Sequence, residues 1–335
     1  MPRPACASGS RTTSRSPRSP DRRSAPGVRP AADGPRHLLL LMVPGPLRFS
    51  SRLRPVRGLV LVLAALCPPS TPAAAAPPRR VVALAPSAAE IVYALGAADV
   101  VVGVSDFAAD LPESRGKARL GGFAPDLERI ASLSPDLAVV SRDGTDRRAA
   151  ERIAGLGIRV VVTDATSLAG VLADIRRVGA ALERPAAAES LVAAMKGRAA
   201  AARERSPARR NPGRWSALAL IWPDPALVAG PATFVGDLLA LAGLSNVVPS
   251  SAGEWPRVSH ETLVAWNPRL LVQPDSAENR AAFAAAFAPG GRWRLLPPGR
   301  DGRVVVLPGA WLERPGPHLV DALEALVRKL GEVGP

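Results

Sequence analysis

The sequence predicts an α/β fold: two lobes built on parallel sheets and joined by one long backbone helix. Three observations predict it. Short Val-rich runs recur between residues 80 and 307, each followed by a helical pattern. A stretch rich in Ala, Leu, Glu, Lys and Arg runs from Pro185 to about Arg205, with the proline well placed for a first helical turn. A short motif recurs on the two sides of that stretch at a constant offset of 133 residues.

Taken in order, residues 1–47 are an Arg-, Ser-, Pro- and Gly-rich extension that cannot bury enough apolar surface to order itself. Met42 offers a later start that would leave a leader of ordinary length. Residues 48–76 read as a secretory signal peptide. Arg48, Arg52, Arg54 and Arg57 form its basic region, an apolar run GLVLVLAAL spans 58–66, and Ala73 to Ala76 supply small residues for cleavage after Ala75 or Ala76. That run is far shorter than the roughly 20 residues of a spanning helix. Cys67 stands where a lipid anchor would attach, but Leu66 occupies the position at which such a signal carries a small residue.

The first lobe, 79–183, takes its strands from 80–84, 100–104, 137–140 and 160–162. Nearly continuous apolar runs are the mark of strands covered on both faces, hence of parallel sheets between helices. Pro86-Ser87 opens a helix, with Ser87 as N-cap, Glu90 three residues on and Gly96 as the stop. A helix over 168–182 precedes the inter-lobe helix, 184–206, whose length of about 30 Å suffices to run along both lobes. The second lobe, 207–335, has strands at 216–221, 270–272 and 304–307. The repeat links the lobes. LERIASLSPDLAVV at 127–140 aligns with HETLVAWNPRLLVQ at 260–273, Glu128 on Glu261 and Pro135 on Pro268. Each copy reads as a short helix opened by Glu, stopped by Pro and feeding a strand.

Of the net charge of +14, the first 76 residues carry +10 and the remaining 259 only +4, so the high basicity gives no ground for nucleic-acid binding by the body. Both cysteines, Cys6 and Cys67, precede residue 77, which excludes disulfides and cysteine metal sites from the body. His260 and His318 are its two histidines, both read as surface residues, and too few for a multi-histidine metal site. No dinucleotide fingerprint, P-loop, GxSxG or HExxH occurs. The chain therefore advertises no catalysis and no resident cofactor.

It does carry aromatics where strands end. Trp222 closes a strand in IWPDP, Trp255 lies in a loop before a helix, and Trp311 follows the last strand. Phe107 and Phe123 lie in first-lobe loops, the latter in GGF. Ligands of open α/β sheets bind at the carboxyl ends of strands, and aromatics there suit a large flat ligand.

RVVALAPSAAEIVYALGA at 80–97, VVGVSDFAADLPE at 101–113, GGFAPDLERIASLSPDLAVV at 121–140, WPRVSHETL at 255–263 and ERPGPHLVDALEAL at 313–326 are similar to segments of a known family. Over residues 80–330 the body resembles the helical-backbone periplasmic substrate-binding proteins of ABC importers, most closely those for cobalamin. The resemblance implies two Rossmann-like lobes around one helix. It implies a monomer that captures a corrinoid, cobalamin or cobinamide, and delivers it to a membrane permease. It further implies ligand contacts at Phe107, Phe123, Trp255 and Arg314, joined by Trp222 and Trp311 from the strand-end reading. Glu128 and Glu261 would dock on Arg residues of the permease. Leu227 and Ala310 depart from the cobalamin pattern, which has Phe and an acidic residue there. A haem or iron–siderophore receptor of the same fold is the nearest alternative, and an extracytoplasmic sensor or enzyme the alternative of another class.

Overall fold

A computed structural model describes residues 76–142, 144–211 and 213–334. The readings made of the N-terminal extension, the signal peptide and Cys67 lie outside these residues. In chain order the first sheet and its helices comprise β1 (Val81–Ala83), α1 (Pro86–Ala94), β2 (Val101–Val104), β3 (Ala118–Arg119), α2 (Leu127–Ser132), β4 (Leu137–Ser141), α3 (Arg147–Gly155), β5 (Arg159–Thr163) and α4 (Leu168–Ala181). Then come α5 (Pro185–Arg205) and α6 (Pro207–Arg210). The second sheet brings β6 (Ser216–Pro223), β7 (Ala226–Val228), α7 (Phe234–Leu241), β8 (Ser245–Asn246), β9 (Arg257–Val258), α8 (His260–Trp266), β10 (Leu270–Asp275), α9 (Arg280–Ala286), α10 (Pro297–Arg300), β11 (Val304–Pro308), α11 (Gly309–Glu313) and α12 (Leu319–Val333).

Sheet one is parallel in the order β3-β2-β1-β4-β5, a doubly wound arrangement. Sheet two runs β11-β10-β6-β7-β9, with β8 also beside β6. Its strands β6, β8, β10 and β11 are parallel, while β7 pairs antiparallel with β6 in a hairpin and β9 pairs antiparallel with β7. That hairpin is a departure from the parallel sheets expected. Pro223, Asp224 and Pro225 turn the chain tightly, and Trp222 pairs with Leu227 across it.

Alternation along the strands explains the apolar runs. On β1 and β4, Val81, Ala83, Leu137 and Val139 face one core, whereas Val82, Ala138 and Val140 face a smaller outer one. On β6 and β10, Ala217, Ala219, Leu270 and Val272 face the first core, and Leu218, Leu220 and Leu271 a third. The first core is common to both sheets. It contains Val171, Ile175 and Val178 of α4, Val192, Met195 and Ala199 of α5, Leu238 of α7 and Leu323, Leu326 and Leu330 of α12. The long helix thus lies along both lobes and contributes its small residues to their shared interior. Arg198 of α5 reaches Asp321 and Glu324 of α12 at 2.6 and 2.7 Å. Across the lobes, the Leu168 amide at the start of α4 donates to Asp237 of α7 at 2.7 Å.

The repeat is structural. Offset by 133, α2 matches α8 and β4 matches β10, and each strand lies beside the first strand of its sheet. Asp126 and Ser259 cap the two helices through the amides of Arg129 and Thr262. Ser134 and Asn267, the residues before the paired prolines, both have left-handed backbone, at φ of 44° and 47°. One expected cap does not form. Helix α1 begins at Pro86, so Ala85 is its N-cap and Ser87 is buried inside the first turn. Proline supplies the preset φ that starts the helix, and Glu90 is left free to point elsewhere.

Candidate functional site

The loops at the carboxyl ends of the parallel strands carry the predicted aromatics. After β2, Ser105 accepts from the Phe107 amide at 3.1 Å and fixes the start of the loop. After β3, Gly121 takes a φ of +86°, and a Cβ on Gly122 would lie 3.0 Å from the Phe107 ring. The two glycines let Phe123 swing over Phe107, ring centres 4.9 Å apart and planes tilted by 57°. Both rings face outward, Phe107 45% and Phe123 66% exposed. Such exposure of paired large apolar rings is what a binding surface shows.

In the second lobe, Trp255 is 36% exposed and leans on Phe234, the first residue of α7, with centres 5.9 Å apart. Trp222 is half-buried, and its indole N–H donates to the Asp224 carbonyl at 3.0 Å. Trp311 is half-buried on α11 and packs against the shared core. Of the other tryptophans, Trp215 and Trp293 are core residues. Trp293 donates to the Pro223 carbonyl at 3.3 Å and thereby holds the hairpin that carries Trp222.

Arg314, the predicted contact after α11, is not free. Its guanidinium reaches Asp110 at 2.9 Å and Glu90 at 3.4 Å, both in the first lobe. Glu90 Oε2 lies 2.7 Å from His318 Nδ1, and His318 Nε2 lies 2.9 Å from the Arg314 carbonyl oxygen. A carbonyl only accepts, so Nε2 carries the proton. A Cβ on Gly316 would lie 2.5 Å from Glu90 Oε2, so the glycine allows the backbone to approach. The Glu313 carboxyl beside this group is held above its ordinary range by burial.

The sequence reading missed Glu90, Asp110 and His318. His318, read as a surface residue, has a side chain only 13% exposed and spans the lobes. The available signal was the i, i+4 spacing of Arg314 and His318 around Gly316-Pro317. His260 likewise is half-buried, edge-on to Trp293 at 6.4 Å, and borders a cavity of about 260 Å³ beside Glu261.

Glu128 and Glu261 are both exposed and both second in their helices, two residues after the cap. A hydrogen bond from Ser259 holds the Glu261 carboxyl below the usual carboxylate range. Among the described residues there is no cluster of His, Cys, Asp or Glu able to hold a metal ion, and no helix long and apolar enough to cross a membrane.

Known proteins share this architecture. The vitamin B12-binding protein of Pectobacterium carotovorum subsp. carotovorum is 26% identical over 236 residues, 70% of this chain and 82% of that one. The periplasmic heme-binding protein from Roseiflexus sp. RS-1, in apo form, is 28% identical and superposes with a TM-score of 0.68 over 76% of this chain and 98% of that one. The periplasmic vitamin B12 binding protein of Vibrio cholerae, at 23% identity, shares the fold with a TM-score of 0.66 over 77% and 98% of the two chains. These relatives are binding proteins, not enzymes. The family described as periplasmic binding protein matches residues 81–310, both sheets and the helices between them, and the chain belongs to that family.

Proposed function

We propose that the protein captures a corrinoid, cobalamin or cobinamide, between its lobes and delivers it to an ABC importer permease in the inner membrane. The observation that carries this reading is the set of partly exposed rings in the loops, Phe107 with Phe123 in one lobe and Trp255, backed by the buried Phe234, in the other. Flat apolar faces of this kind suit a macrocycle. Relatives named for vitamin B12 binding support the choice. The corrinoid is cargo, and the protein needs no resident cofactor for the task. Export by the leader at 48–76 would place it in the periplasm, as a soluble monomer.

Structural neighbours named for heme binding make haem the competing ligand. The usual axial ligands to haem iron are Tyr, His, Met or Cys. Of the four such residues among those described, three are engaged: the Tyr93 hydroxyl lies 3.0 Å from Ser114, Met195 is buried in the shared core, and both His318 nitrogens face acceptors, while His260 lies edge-on to Trp293 beside the Pro223–Pro225 turn with no hydrogen-bond partner at Nδ1. These engagements favour a corrinoid, which brings its own cobalt ligands. Docking would use Glu128 and Glu261, which the repeat sets at equivalent places in the two lobes. Uptake assayed in cells carrying the double change Glu128→Ala and Glu261→Ala tests the transport half of the proposal. The expected result is lost uptake with ligand affinity retained, since truncating a docked charge pair costs about 2–5 kcal/mol. Normal uptake would refute the docking role.

A further inference from the structure

Among the described residues, Arg314, Glu90, Asp110 and His318 form a charged junction between the lobes, and neither the aromatic faces nor the proposed docking carboxylates account for it. We infer that Asp110 and Glu90 hold Arg314 as an inter-lobe clasp that makes the cleft select against ligands presenting an anionic group at this end. The inference rests on the corrinoid reading and assigns its discrimination to named residues. Asp110 lies three residues after Phe107, in the loop that carries the first-lobe aromatic pair. The clasp therefore stands beside the ligand face. Arg314 has a side chain only 15% exposed and is met by two carboxylates, at 2.9 and 3.4 Å. Its charge is balanced before a ligand arrives. A propionate or another carboxylate reaching toward it must displace Asp110, which is itself 57% exposed, and would then face Glu90 and Glu313 at close quarters. Like charges brought together in this way are a standard means of rejecting a wrong partner. A corrin bearing amide side chains and a net positive charge meets no such penalty.

Asp110→Asn tests this by removing one carboxylate at an exposed position, where folding is little affected. Spectroscopic titration of the full protein with haemin, which carries two propionates, and with aquacyanocobinamide, a cation, gives an affinity ratio. Asp110→Asn is expected to raise haemin affinity by about tenfold relative to cobinamide, a change of roughly 1.4 kcal/mol. Glu90→Gln should shift the ratio in the same direction. An unchanged ratio in Asp110→Asn, with an unaltered melting temperature, overturns the inference. So does a wild-type protein that binds haemin more tightly than the variant. Should cobinamide fail to bind at all, the corrinoid reading falls, and the haemin arm alone still decides the clasp.

Discussion

Gly122 shows how closely the proposed ligand face is specified by single residues. The space that its side chain would take belongs to the Phe107 ring, 3.0 Å away. Gly122→Val is expected to push Phe107 off Phe123 and lower corrinoid affinity, with the fold intact because both rings face solvent; titration and thermal melting check the two halves of this expectation. Phe107→Ala and Trp255→Ala each remove a partly exposed ring that a ligand would cover. Each should weaken binding by about 1.5–3 kcal/mol, about tenfold to a hundredfold, without lowering stability. Unchanged affinity in both would sink the site assignment. At the proposed docking surface, the hydrogen bond from Ser259 favours the ionised Glu261. Its negative charge therefore persists as pH falls into the ordinary carboxylate range and is lost only below it. The pH dependence of complex formation with permease-bearing vesicles should show docking through Glu261 retained there, and Ser259→Ala should move its loss to higher pH.

Among the elements, the packing of α4 on α5 fixes where the long helix lies. A Cβ on Gly179 would approach the Ala188 Cβ to 2.5 Å, in a fully buried corner. Gly179→Ala should therefore destabilise by about 1–3 kcal/mol, as overpacking of a close helix contact does, and denaturant unfolding measures it. These long elements were legible in the sequence because their signals are local. All seven Val-rich runs are strands, and α4 and α5 match the helices expected to within a residue or two. Strands β3, β7, β8 and β9 were not foreseen, since two or three residues carry no period. The pairing of β9 with β7 joins strands separated by α7 and β8, which no local pattern announces. At the site, aromatic residues in Gly- and Pro-rich loops could be read directly. The contacts of Glu90 with Arg314 and His318 join residues more than 200 positions apart, and Glu90 looked like part of a local helix cap.

At the scale of the molecule, one apolar core runs through both lobes by way of α4, α5, α7 and α12. Hinge opening wide enough to part the lobes would expose part of that core, at a cost of about 25 cal/mol for each Å². Ligand entry is therefore expected to need only a small adjustment of the loops and the Arg314 clasp. Small-angle scattering with and without saturating ligand should show no resolvable change in radius of gyration; marked shrinkage would mean that the shared core opens. The repeat also sets Glu128 and Glu261 at equivalent positions, where under the proposed docking one permease face would engage both lobes. Capture of a corrinoid is the central claim, and calorimetric titration of the purified protein with cyanocobalamin, cobinamide, haemin and a ferric siderophore tests it most directly. One-to-one binding of a corrinoid, tighter than that of haemin or siderophore, is the predicted result. Binding confined to haemin or siderophore would contradict it while leaving the fold and the family in place.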